Sequence, residues 1–151
     1  MPGAGKTTLL RDSIRALSNG EAYGIRLKVC VVDERSEIAA SFHGVPQNDM
    51  GPRTDVMDGC GKAEGMQLLI RSMSPQIIAV DELGAESDFY AVEQALNCGS
   101  RVLGTIHAGN MKELSETTIL FHTRRHLTFC SILTEFFFKE KKPWEFVFSH
   151  D

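Results

Sequence analysis

Apolar residues fall into two patterns along the chain. In KTTLLRDSIRALSNG (6–20), Leu9, Leu10, Ile14 and Leu17 recur at helical spacing, and Asn19-Gly20 supplies a stop, which predicts an amphipathic helix. LKVCVVD (27–33), QIIAVDE (76–82) and RVLGTIH (101–107) are short continuous apolar runs, the pattern of parallel strands covered on both faces. KAEGMQLLIRSMS (62–74), stopped by Pro75, and SDFYAVEQALNCG (87–99), ended by Cys98-Gly99, read as helices. Strands alternating with helices predict an α/β fold with a mainly parallel sheet flanked by helices. Residues 42–61, rich in Gly, Pro, Asn and Asp, read as one long loop, of the kind that is functional or mobile. From about residue 117 the helical and strand phases conflict, and LTFCSILTEFFFKEKKPWEFVFSHD reads as a terminal helix followed by an edge strand, WEFVF. The division expected is a core over residues 1–114 and a divergent tail over 115–151.

Composition narrows the class. A chain of 151 residues, 42% hydrophobic and 24% charged, is one globular domain with a real core. Its net charge of −4 disfavours direct nucleic-acid binding, which Lys and Arg drive by releasing counterions. The four cysteines, Cys30, Cys60, Cys98 and Cys130, form no C-x-x-C pair and read as reduced thiols in a cytoplasmic protein. The longest apolar stretch, residues 127–138, is too short for a transmembrane segment.

PGAGKTT is the most specific motif. Small residues let the backbone of Pro2-Gly3-Ala4-Gly5 wrap closely, so that consecutive N–H groups from Gly3 onward and at the helix start point at phosphate oxygens, with the helix dipole adding positive charge. In this reading Lys6 bridges the β- and γ-phosphates, Thr7 binds Mg²⁺ and Thr8 reaches the α-phosphate of ATP. The full pattern G-x-x-x-x-G-K-[ST] places its first glycine ahead of Met1. Met1 is therefore expected at an internal position, with the strand that feeds the loop missing and the core correspondingly weakened. IIAVDE brings Asp81 to a strand end for the Mg²⁺ shell, with Glu82 beside it as general base for water. An apolar run ending in two acids is commonly just a strand meeting solvent; the phosphate loop upstream favours the functional reading. VVDERSE carries Asp33, Glu34 and Glu37, which could equally favour a following helix start. GTIHAGN ends the third strand with Thr105 and His107 at the edge where parallel strands open toward ligand.

VVDERSEIAA, GVPQNDMG, RTDVMDGC and the long run GPRTDVMDGCGKAEGMQLLIRSMSPQIIAVDELG resemble the stage III sporulation protein AA family, relatives of the type II and type IV secretion and pilus-retraction ATPases. The likeness covers residues 1–109. It implies a RecA-like P-loop core and a homo-hexameric ATPase motor working with membrane components of a sporulation secretion channel, from the mother-cell side. It also implies that Glu34 and Glu37 belong to an acidic box near the γ-phosphate and that Asp81 and Glu82 are the metal and water residues. His107 becomes a γ-phosphate sensor, and Arg53 and Arg71 stand where relatives carry arginines that stabilise transition-state charge, often across a subunit boundary. The family's N-terminal domain and usual ending are not recognisable here. The residues and the resemblance together give the leading reading, an ATP-binding and hydrolysing subunit of a secretion-type motor, the motor role being what the resemblance implies. A non-catalytic, partner-binding fragment is the alternative, and a nucleic-acid motor a weaker third.

Overall fold

The computed structural model describes residues 5–21 and 24–106, and the backbone of 130–133. Pro2, Gly3, Ala4, His107 and the WEFVF strand lie outside the described residues, and of the stretch read as a terminal helix only 130–133 are described, where the backbone is a strand and not a helix. The elements in order are α1 (Lys6–Asn19), β1 (Val29–Asp33), β2 (Thr54–Asp58), α2 (Lys62–Met73), β3 (Ile77–Leu83), α3 (Glu86–Asn97), β4 (Arg101–Ile106) and β5 (Cys130–Leu133). The five strands form one sheet in the order β2-β1-β3-β4-β5, and every pairing is parallel. This is the α/β architecture that the strand–helix alternation predicts.

The continuous apolar runs follow from burial on both faces. All five residues of β1 are buried, and their side chains alternate between two cores. Cys30 and Val32 pack with Met66 and Leu69 of α2, Ile78 and Val80 of β3, and Phe89 and Val92 of α3. Val29 and Val31 pack on the other face with Leu10 and Ile14 of α1, Ala79 and Leu103. Of the stripe expected on α1, Leu10 and Ile14 are fully buried, Leu17 packs partly buried at the margin, and Leu9 is half exposed. Ser18 takes the remaining inward position, and its hydroxyl accepts the Arg53 N–H at 2.8 Å.

Residues 42–61 are not one loop. They contain β2, which pairs with β1 from Thr54↔Val29 to Asp58↔Asp33. The sequence TDVMD hides it because an edge strand needs few apolar residues: its side chains are half-buried or exposed. Upstream, Phe42 and Val45 exchange two backbone hydrogen bonds across His43 and Gly44, both with positive φ, the two-residue hairpin turn suited to strand twist. β5 falls in the stretch of conflicting phases, and its backbone pairs with β4 from Val102↔Cys130 to Thr105↔Leu133.

α2 lies directly on the sheet at Gly65, where an added Cβ would sit 2.6 Å from Val32 Cγ1. Gly65→Ala should therefore lower stability by about 1–3 kcal/mol through overpacking, outweighing the roughly 1 kcal/mol of helix propensity gained. A drop in the urea midpoint at unchanged m-value would show it. Burial pushes the Cys30 thiol up to about 11, while Cys98 is exposed. At pH 8 in native buffer, peptide mass spectrometry should find Cys98 alkylated and Cys30 protected until denaturant is added.

Candidate functional site

α1 begins at Gly5 with φ 80°, a left-handed conformation that glycine adopts without strain. No side chain caps the helix and no acid stands in its first turn, so its leading N–H groups and dipole remain available to an anion. Lys6 is 8% exposed, and its buried ammonium nitrogen has no hydrogen-bond partner among the described residues. Burying an unpaired ammonium is costly. A phosphate group supplies the missing negative charge, and the polar atoms of this corner fit one.

The next residue reaches across the sheet. Thr7 Oγ1 donates to Asp81 Oδ2 at 2.7 Å, joining the start of α1 to the end of β3. The other carboxylate oxygen of Asp81 accepts from the hydroxyl of Thr105, fully buried on β4. Thr105 Oγ1 in turn accepts the Glu82 N–H at 2.7 Å. Glu82 has φ 50°, a strained value for a side-chain-bearing residue, and it sits where the β3–β4 register shifts between Val80 and Leu83. The bulge turns consecutive acids in different directions. Asp81 faces the hydroxyls, and Glu82 faces the turn after β1.

That turn is organised by Asp33, 2% exposed, whose carboxylate accepts the N–H groups of Glu37, Ile38 and Ala39 at 2.8–3.0 Å. Arg11 of α1 clamps it from outside, donating to the carbonyls of Ile38 at 2.6 Å and Glu37 at 2.8 Å. From the turn, Glu34 pairs with Lys62 at 2.5 Å and Arg35 with Glu82 at 3.1 Å. The hydrogen bond from Lys62 holds the Glu34 carboxyl below the usual carboxylate range. The small stability this gives is present above the ordinary carboxylate pKa and lost as pH falls through the lowered one. Glu34, Arg35, Glu37, Lys62, Asp81 and Glu82 line one shallow cleft. Among the described residues no cluster of three or more His, Cys, Asp or Glu could hold a metal ion. The donor set at Thr7 and Asp81 instead suits a hard cation that keeps most of its water and phosphate ligands.

The sequence-predicted residues thus separate. Lys6, Thr7 and Asp81 gather at the start of α1, and Glu34, Glu37 and Glu82 line the adjoining cleft. Thr8 is exposed. Arg53 lies at the opposite, N-terminal end of β2, where its guanidinium donates to the Arg26 carbonyl at 3.3 Å. Arg71 is exposed in the last turn of α2, nine residues beyond Lys62, or about 13 Å along the axis. Neither arginine reaches the cleft of its own chain. Sequence reading assigned no role to Arg11, Arg35 or Lys62. Arg11 carried a usable signal, standing one helical turn after Thr7.

Comparison with known proteins supplies a family and a fold. Stage III sporulation protein AA of Bacillus subtilis is 46% identical over 113 residues, covering 75% of this chain and 37% of that protein. A Cyanidium caldarium protein, ycf45, is 31% identical over 121 residues, covering 79% of this chain and 35% of its own length. The chain therefore spans little more than a third of these relatives. In fold it matches the Legionella pneumophila ATPase DotB with a TM-score of 0.62 at 22% identity, over 87% of this chain and 38% of that one. The chain thus shares the fold of that ATPase, a parallel sheet flanked by helices, and no helix among the described residues is long and apolar enough to cross a membrane. Residues 1–146 match the family model for sporulation stage III, protein AA, and the chain belongs to that family.

Proposed function

We propose that this chain is the ATP-binding and hydrolysing part of a secretion-type motor that energises a sporulation-associated channel. The buried, partnerless Lys6 ammonium at an uncapped helix start carries the reading. The Thr7–Asp81 bond supports it, since it joins the two motifs the chemistry requires. The B. subtilis relative supports the sporulation setting, and the fold of the DotB ATPase supports the reaction class. A homo-hexamer on the cytoplasmic, mother-cell side, held to the membrane through channel components, is the assembly that fits this role. In such a ring Arg53 and Arg71 would serve a neighbouring subunit's site, and His107 would sense the γ-phosphate.

The residues divide the work. Lys6 and the first N–H groups of α1 hold the β- and γ-phosphates of ATP, with Pro2, Gly3 and Ala4 extending the cradle. Thr7 and Asp81 would hold Mg²⁺, which when bound neutralises charge on the phosphate oxygens. Glu82 orients a water molecule and takes its proton as the water attacks the γ-phosphorus in line. The bond from that phosphorus to the bridging oxygen breaks, and ADP leaves with the electron pair. Glu34 and Glu37 add negative charge beside the cleft, which favours the metal-bound nucleotide over the free one.

Lys6→Ala should weaken binding of a fluorescent ATP analogue by about tenfold or more, the worth of one charge-assisted contact. Glu82→Gln should keep that affinity and lower phosphate release by about 10²–10⁴-fold, the usual contribution of a general base. Chelating Mg²⁺ should abolish turnover and adding it back should restore it. Folded protein that binds no nucleotide would end the motor reading and leave the partner-binding one.

A further inference from the structure

The Arg35–Glu82 ion pair has no place in the mechanism above. Its partners are 47 residues apart and come from rigid bases. Arg35 stands in a turn whose backbone is pinned by the Asp33 carboxylate through three N–H groups and by Arg11 through two carbonyls. Glu82 stands on a bulge fixed at φ 50° by its N–H bond to Thr105. Both side chains project into the same cleft and meet there at 3.1 Å. The Arg35 side chain is 62% exposed, so it contributes little to the core and its removal leaves the packing intact. The neighbouring cation, Lys62, is engaged with Glu34, leaving Arg35 as the guanidinium paired with Glu82.

We infer that Arg35 is a positioning residue for the hydrolysis reaction: its guanidinium holds the Glu82 carboxylate over the cleft in the orientation from which it meets water. The inference rests on the ATPase reading of the site. A long glutamate side chain otherwise samples several rotamers, and holding one of them raises the fraction of carboxylates placed to accept a proton. An exposed ion pair is a weak restraint, so the effect expected is modest: on the order of fivefold in kcat rather than the loss that follows removal of the base itself.

The test is a double-mutant cycle on phosphate release by the purified protein, with binding of the fluorescent ATP analogue measured on every variant. Arg35→Ala should lower kcat about fivefold with KM and analogue affinity unchanged within about twofold, and Arg35→Lys should recover part of the loss by restoring charge without the planar fork. In the Glu82→Gln background, Arg35→Ala should have no further effect, because its target is gone. An additive loss in the double variant would overturn the inference, as would a kcat for Arg35→Ala equal to the parent or a rise in KM without a fall in kcat. If Glu82→Gln itself left kcat unchanged, the base assignment would fall and this inference with it; the outcomes for Arg35 alone leave that assignment standing.

Discussion

The hydrogen bond between Thr7 and Asp81 is the contact on which the rest of the site depends. It can form only if the start of α1 and the carboxyl end of β3 meet, and that is a property of a parallel sheet, whose strand ends all open on one side. The helix start brings N–H groups that no side chain caps and an ammonium without a partner among the described residues to that edge, and the strand end brings carboxylates. A positive corner and a negative one therefore adjoin without neutralising each other. A polyanion carrying a divalent cation complements both at once, which is the ground for proposing nucleotide with magnesium at this corner.

Around this contact the chain spends local order on aim. From its sequence position Asp33 reads as another acid of the cleft, yet its oxygens accept three backbone N–H groups, and its work is to shape the turn. Thr105 similarly ends a strand without facing solvent: it is fully buried and divides its hydroxyl between Asp81 and Glu82. Arg11 ties the helix of the phosphate loop to the turn after β1, so the two motifs share one mechanical unit.

How much of this was legible in the sequence depended on the range of the interaction. β1, β3 and β4 announced themselves because buried parallel strands must be apolar on both faces, and α1 because Leu10 and Ile14 mark one buried stripe. β2 did not, because an edge strand half open to solvent tolerates Thr54, Asp55 and Asp58 and leaves Val56 and Met57 as a weak signal among glycines and prolines. Gly5-Lys6-Thr7 and Asp81-Glu82 were readable as motifs, since the chemistry proposed for them fixes residue type and spacing, and the structure brings Thr7 and Asp81 together. The partners that aim those acids were not. Lys62 and Glu34 are 28 residues apart and Arg35 and Glu82 are 47 apart, and no local pattern encodes which charge meets which. The failure of Arg53 and Arg71 to reach their own chain's cleft belongs to the same class, since a sequence gives order along the chain and not the side of a sheet.

Two kinds of restraint therefore act on the two neighbouring acids. Asp81 is held by hydroxyls from two secondary-structure elements in a partly buried setting, where hydrogen bonds are strong and the geometry is fixed before any ligand arrives. Glu82 is held at its backbone by strain and by an N–H shared between Thr105 Oγ1 and Asp81 Oδ1, and at its carboxylate by an exposed guanidinium that water screens. A metal-binding carboxylate gains from permanence, because its ligand geometry recurs in every cycle. A base must accept a proton and give it up again, and a partner that competed strongly for its charge would make that proton harder to take. On the proposed reading of Glu82 as the base, the weakness of the Arg35 contact suits its place: strong enough to bias the rotamer, too weak to hold the carboxylate out of the reaction.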